Sequence, residues 1–233
     1  MKLIQKSREP NYLQVHRGLA GTDYESFKRD VGLGNISPAT GLRKSLLEEQ
    51  GYICAYCMRR IPHSHSENGV NSDKMKVEHV IPQTNAQSIE QKLDITYTNM
   101  FACCMGNHGQ RELFETCDTR KGERLLTITP LNNAHIRTLI YGADGSIYST
   151  NAIFETEINQ ILNLNEDNLK RQREAIHTLV EKRVRTEFAR PHLTREEKNS
   201  YLDSQIEWWY SKKNGKFSEF CMVAINYLES RKR

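Results

Sequence analysis

The chain has 233 residues, of which 37% are hydrophobic and 27% are charged, so it can bury a substantial core and is neither fibrous nor disordered. No stretch approaches the roughly 20 apolar residues of a membrane span, and the first residues lack the apolar segment of a secretory signal, so we expect a cytoplasmic protein. The formal net charge of +4 is compatible with nucleic-acid binding but does not require it.

The first clear element is a helix that follows an N-terminal segment, residues 1–36, with weak signals. Ser37 suits the N-cap of this helix and Pro38 suits its first position. Three leucines then share one face, and Gly51 stands where a left-handed residue commonly ends a helix. The chain therefore enters its first cysteine pair directly from a helix.

Strand-like stretches come next. Residues 76–81, 125–129 and 136–141 are rich in β-branched residues, and each predicts a strand. The Asp-Gly pair at 144–145 is typical of a hairpin turn, which would pair the third of these strands with residues 147–150.

The rest of the chain has a helical pattern from Phe154 onward. Asn165 is the predicted N-cap of a long helix, Thr194 begins a capping box for the next, and a last helix is expected at about residues 217–231. Residues 168–190 hold seven basic and three acidic side chains. This excess predicts either a solvated helix face or a surface that follows phosphates.

Five of the six cysteines lie between positions 54 and 117, and Cys221, which stands alone, is expected in the core. In a reducing compartment, clustered cysteines indicate metal ligands rather than disulfides. Cys54 and Cys57 have the spacing of a zinc knuckle, and a second thiolate pair downstream would close a tetrahedral site. Cys103 and Cys104 compete for the third position, and spacing leaves the choice open.

A second kind of metal site is indicated by hard ligands near these cysteines. Glu78 and Asp118 offer carboxylate oxygens, which suit Mg²⁺ and leave room for a phosphate. His79, beside Glu78, has an ordinary pKa near neutrality and so suits a general base. Together they suit a site in which a metal ion and a base activate a water molecule.

Four short pieces carry this chemistry. They are Cys54-Ala-Tyr-Cys57, Val77-Glu78-His79-Val80-Ile81-Pro82, Asn99-Met-Phe-Ala-Cys-Cys104 and Cys117-Asp118-Thr-Arg-Lys121-Gly122. In this order they resemble the HNH (ββα-metal) nucleases with a zinc knuckle, and more closely the PtuB-type HNH proteins of Septu and retron anti-phage defence systems. The resemblance implies an α+β fold with a zinc-knuckled ββα-metal core, an additional β-hairpin and a helical C-terminal region.

The family register implies that Cys104 and Cys117 complete the structural zinc site with the knuckle, although residues 105–116 form an insertion between them. Zinc bound by His108 in place of Cys117 is the alternative.

The resemblance also implies roles at the second site: His79 as the base, Asn99 orienting it, and Glu78 and Asp118 binding Mg²⁺ or Mn²⁺. Lys121 would either contact the phosphate or be solvated. Two residues depart from the family pattern, because Glu78 replaces the usual Asp and Asp118 replaces the usual Asn or His.

These observations predict a metal-dependent HNH endonuclease acting on DNA or RNA, with a non-catalytic zinc-binding nucleic-acid or adaptor module as the alternative. The resemblance implies an ABC/SMC-like ATPase partner of the PtuA type, and in retron systems a reverse transcriptase with its RNA–DNA hybrid. We expect three parts: an N-terminal segment 1–36, a nuclease core with its hairpin at 37–150, and a helical region at 151–233.

Overall fold

The computed structural model describes residues 1–29, 38–66, 69–71 and 74–232. Within these ranges the helices are α1 (Asn11–Gly18), α2 (Tyr24–Arg29), α3 (Pro38–Glu49), α4 (Ala86–Gln91), α5 (Cys117–Lys121), α6 (Asn133–Arg137), α7 (Ala152–Thr156), α8 (Asp167–Phe188), α9 (Arg195–Tyr210) and α10 (Cys221–Arg231). The strands are β1 (Ser64–Ser66), β2 (Gly69–Asn71), β3 (Met75–His79), β4 (Met100–Cys104), β5 (Leu139–Tyr141) and β6 (Ile147–Ser149). They pair as β1–β2, β3–β4 and β5–β6, all antiparallel, so the predicted α+β class is confirmed.

Helix α3 begins at Pro38 as predicted, while its proposed N-cap, Ser37, lies outside the described residues. Its leucine face is fully buried (Leu42, Leu46 and Leu47). Gly51 ends the helix with a φ of 57°, and a Cβ at this position would collide with the ring of Phe217. Both the backbone conformation and the available space therefore require glycine here.

The centre of the fold is the β3–β4 pair, in which Glu78 lies opposite Phe101 and His79 opposite Met100. Every residue of β4 is buried, and α3 and α5 both contact it. The predicted strand at residues 76–81 is therefore present, but it ends at His79.

Two predicted strands differ from the structure for tertiary reasons. Residues 125–129 form no strand, because the amides of Thr127 and Ile128 donate to the Glu157 carboxylate (2.7 and 2.8 Å) instead of to a neighbouring strand. The stretch 136–141 begins inside α6 and becomes β5 only at Leu139. The predicted Asp-Gly hairpin between β5 and β6 is confirmed.

The helical C-terminal region is confirmed, with differences at the helix ends. Glu166, rather than Asn165, caps α8 by accepting from the Leu169 amide. Asn165 instead exchanges two hydrogen bonds with the backbone of Ile147 (both 2.8 Å), which joins the hairpin to the helices. The capping box at Thr194 is present.

The last helix begins at Cys221, which is fully buried as expected. None of the helices in the described ranges has the length and apolar character needed to cross a membrane. The proposed division at residues 36 and 150 stays a prediction.

Candidate metal centre and adjoining acidic site

The first two cysteines lie on a tight turn that follows α3. The amide of Cys54 donates to the carbonyl of Arg59 (2.9 Å), and the amide of Met58 donates to the carbonyl of Cys54 (3.1 Å). Met58 takes the left-handed conformation that the turn requires, with a φ of 65°. The amide of Arg59 also points at the Cys57 sulfur (3.5 Å).

The turn brings these sulfurs to two further cysteines, one at the end of β4 and one at the start of α5. The Sγ atoms of Cys54, Cys57, Cys104 and Cys117 all lie within 4.8 Å of one another, and all four residues are buried. The Sγ of Cys104 is 3.7 Å from that of Cys57 and 3.9 Å from that of Cys117. A regular tetrahedron with zinc–sulfur bonds of about 2.3 Å has edges of about 3.8 Å. The cluster is therefore sized to hold a metal ion and is consistent with structural zinc.

Cys103 and His108, the alternative zinc ligands considered from the sequence, lie outside this group. Cys103 is fully buried, and its thiol contacts Cys54, but it does not belong to the four-sulfur cluster. His108 is exposed and is also not a member. Within the described ranges, these four cysteines are the one group of three or more His, Cys, Asp or Glu residues whose ligand atoms lie close enough together to hold a metal ion.

The thiols of the cluster are packed so closely that, with no cation between them, the pKa of one is lowered while those of its neighbours are raised. Burial by itself raises the pKa of Cys54, but hydrogen bonds from the neighbouring thiols outweigh it and hold the pKa well below its usual value. The pKa of Cys117 is raised well above its usual value, first because its thiol is hydrogen-bonded to Cys104. Four thiolates around a dication leave two negative charges. The guanidinium of Arg59 lies beside them, and its Nε and Nη2 atoms are buried without a hydrogen-bond partner.

The acidic site begins one residue away from this cluster, because Asp118 directly follows Cys117 on α5. Glu78 is buried, with 1% of its surface exposed. It accepts a hydrogen bond from the Tyr56 hydroxyl (2.7 Å), pairs with the Lys121 ammonium (3.0 Å) and shares a hydrogen bond with Asp118. Burial, and then the hydrogen bond with Asp118, raise the pKa of Glu78 well above its usual value. Two carboxyl groups in contact are a donor set that suits a hard divalent cation.

The His79 ring is held in one tautomer by its neighbours. Its Nε2 atom lies 2.9 Å from the carbonyl oxygen of Asp94, which can only accept, so Nε2 carries the proton. Its Nδ1 atom is then free to accept from the Gln83 amide (3.2 Å). Burial lowers the pKa of His79, and the edge of the Tyr24 ring packs against it, with ring centroids 4.7 Å apart. The imidazole is therefore neutral at pH 7, with its basic nitrogen directed away from the carbonyl.

Asn99 positions backbone rather than the imidazole itself. Its side chain accepts from the amide of Ile81 (2.9 Å) and donates to the carbonyls of Ile81 and Leu93 (both 3.0 Å). Leu93 is followed in the chain by Asp94, whose carbonyl accepts the hydrogen bond from His79. Any orienting effect on the base therefore passes through this loop.

Lys121 is neither solvated nor at the surface. It is 1% exposed, and its ammonium donates to the carbonyl of His79 (3.0 Å) while pairing with Glu78. Its predicted phosphate contact stays a prediction. The most exposed of the predicted site carboxyls is Asp118, whose side chain is 19% exposed and lies 3.8 Å from the Lys76 ammonium.

Three residues of this site were missed by sequence reasoning: Tyr56, Gln83 and Tyr24. Tyr56 lies inside the cysteine knuckle, where spacing draws attention only to the sulfurs. Gln83 follows Pro82 in the loop after β3, and Tyr24 comes from a segment with weak signals, so no motif marks either. Comparisons with known proteins add no assignment, because no protein-family model matches the sequence and no curated protein matches it significantly.

Proposed function

We propose that this protein is a metal-dependent endonuclease of the HNH type, with structural zinc at the four cysteines and Mg²⁺ or Mn²⁺ at Glu78 and Asp118. One observation carries the proposal: the cysteine cluster and the acidic site are built on the same β–β–α elements. Cys104 ends the strand that pairs with β3, and Cys117 immediately precedes Asp118. A metal at the cluster would thus also fix the two carboxyls and the histidine.

Each residue of the site then has a separate role in phosphodiester hydrolysis. His79 accepts a proton from water at Nδ1, because its Nε2–H is already committed to a carbonyl. A divalent cation held by the carboxyls would stabilise charge on the phosphate oxygens. Lys121 and Tyr56 hold Glu78 in place. Since Gln83 occupies Nδ1, water can approach the base only when that amide moves aside.

The burial of Glu78 and His79 favours a second, non-catalytic function. Glu78 and His79 are 1% and 6% exposed, and their side chains bond to Tyr56 and to the carbonyl of Asp94, so these contacts tie β3 to the knuckle turn and to the loop before β4. These residues would then support a non-catalytic zinc-binding module that binds nucleic acid or recruits another protein.

A cleavage assay separates the two functions. The purified protein is incubated with plasmid DNA and with total RNA, each with added Mg²⁺ or Mn²⁺. The nuclease proposal expects cleavage that requires the divalent ion and is lost in His79→Ala. The matched control is His108→Ala, which removes an exposed imidazole outside both sites and should leave cleavage and zinc content unchanged. Absence of cleavage of either polymer supports the adaptor.

The partner proposal extends to an ABC/SMC-like ATPase of the PtuA type, and in a retron system to a reverse transcriptase with its RNA–DNA hybrid. The helical region exposes large apolar side chains suited to an interface, namely Leu179, Trp208 and Tyr210, each about 40% exposed. Co-expression with such an ATPase followed by size-exclusion chromatography tests the idea. Independent elution at micromolar concentration contradicts it.

A further inference from the structure

A cleft between α8, α9 and α10 lies outside the sites described so far. Its volume is about 830 Å³, and its apolar wall is made by Val184 and Phe188 of α8 with Tyr227 of α10. Four basic side chains and one acidic side chain line the cleft, which gives an excess of three positive charges. These are Arg185, Arg195, Lys198, Arg231 and Glu181.

Three of the four cations in this cleft have no carboxylate partner among the described residues. In the described part of the chain, no salt bridge joins Arg185, Lys198 or Arg231 to an acidic side chain. The Lys198 ammonium lies 5.6 Å from the Phe188 ring centroid, and the Arg231 guanidinium lies 4.8 Å from that of Tyr227. Lys198 and Arg231 thus lie against aromatic rings of the cleft wall, and a contact of this kind leaves their N–H donors available to a ligand.

This cleft is not the basic stretch that the sequence singled out. Of that stretch, Arg173 is buried and donates to backbone carbonyls, including that of Gly145 (2.6 Å). Lys170 pairs with Asp144 (3.0 Å). Of the seven basic side chains in the stretch, Arg185 lines the cleft, and the other cleft cations come from α9 and α10. The packing of α8, α9 and α10 therefore brings together, in this cleft, basic side chains that are far apart in the sequence.

We propose that this cleft binds a single strand of nucleic acid through its phosphates. The inference rests on the proposed nuclease function, for which the cleft would hold a segment of the substrate. Guanidinium groups donate to phosphate oxygens in pairs, and a strand carries one negative charge per nucleotide, which suits cations spread over three helices. The Phe188 ring and the neighbouring apolar wall offer surface to the bases. An acidic peptide such as polyglutamate supplies the charge but no aromatic bases that could stack on this wall.

The test compares two triple variants of the full-length protein that lose the same charge. The cleft variant is Arg185→Ala, Lys198→Ala and Arg231→Ala. The control is Arg171→Ala, Lys182→Ala and Arg183→Ala, three exposed positions on α8 that do not line the cleft. Fluorescence anisotropy measures affinity for a labelled single-stranded oligonucleotide, as DNA and as RNA, without added divalent ion. Melting temperature and zinc content are recorded for both.

The cleft variant should bind the oligonucleotide at least about tenfold more weakly than the wild type. The slope of its plot of log affinity against log salt concentration should also be smaller in magnitude by about 2, because each of the three lost phosphate contacts contributes about 0.7 to that slope. The control should bind within about twofold of the wild type. Equal losses in the two variants, or no loss in either, would overturn the proposal. So would a polyglutamate peptide that displaces the oligonucleotide as well as unlabelled strand does, because the cleft would then accept acidic partners.

The cleft and the nuclease proposal can fail separately. If the wild type binds the strand through the cleft but cleaves nothing, the cleft proposal stands and the nuclease proposal falls. If the wild type cleaves and the cleft variant binds and cleaves equally well, the nuclease proposal stands and the cleft proposal falls.

Discussion

Replacing Cys103 and Cys104 one at a time tests the metal centre, because the two residues are adjacent on β4 and both are buried. Only Cys104 belongs to the four-sulfur cluster, at 3.7 and 3.9 Å from two of its partners. Cys104→Ala should therefore lose the metal, while Cys103→Ala should keep it.

The expected magnitudes differ widely. A structural zinc ion contributes on the order of 10 kcal/mol to folding. That is comparable to the whole stability of a domain, about 5–15 kcal/mol. Loss of a ligand from the closed site should therefore leave Cys104→Ala unfolded or protease-sensitive. Cys103→Ala loses one buried sulfur and should cost about 1–2 kcal/mol.

The assay measures zinc per chain by mass spectrometry of the elements, together with thermal unfolding before and after treatment with a chelator. Wild type and Cys103→Ala should each carry one zinc ion and should both be destabilised by the chelator. Equal tolerance of the two substitutions, or one zinc per chain retained in Cys104→Ala, would refute the ligand assignment.

Three further predictions concern the acidic site. Because burial and Asp118 raise the folded-state pKa of Glu78, this group contributes stability below its unfolded pKa and loses it as pH rises through the folded pKa. In urea unfolding without divalent ions, Glu78→Gln should therefore gain stability relative to the wild type as the pH rises above the usual pKa of a glutamate, and a constant difference would contradict the raised pKa of Glu78. His79→Ala should lower cleavage by about two to four orders of magnitude while keeping its zinc, and wild-type cleavage would show that the histidine is structural. Asp118→Ala should lose cleavage but recover part of it at high Mn²⁺, since Glu78 and the phosphate still offer oxygen ligands; equal activity at low and high Mn²⁺ would count against a metal role.

Features with local causes were predictable from the sequence. Helix α3 follows from proline at its start and glycine at its end, and the capping box at Thr194 follows from two side chains three residues apart. The β5–β6 hairpin follows from its Asp-Gly turn. In each case the residues that decide the structure are close enough in the chain to be seen together.

Long-range partners decided the rest. Residues 125–129 have the composition of a strand, but Glu157, about thirty residues away, takes their amide hydrogen bonds. Asn165 has the composition of an N-cap but bonds to Ile147 instead. A short polar side chain satisfies whichever backbone group the fold brings near, and the sequence does not say which group that is.

The candidate site divides in the same way. The sequence by itself determined which residues could bind metal or move a proton, because thiolate, carboxylate and imidazole chemistry belongs to the residue types and their spacing. Spacing left Cys103 and Cys104 open and the family register favoured Cys104, which the tertiary structure places in the four-sulfur cluster. Only the tertiary structure buried Lys121 against Glu78 and left the Nδ1 atom of His79 as its basic nitrogen. These outcomes depend on distances of a few ångströms between atoms far apart in the chain, and such distances exist only after packing.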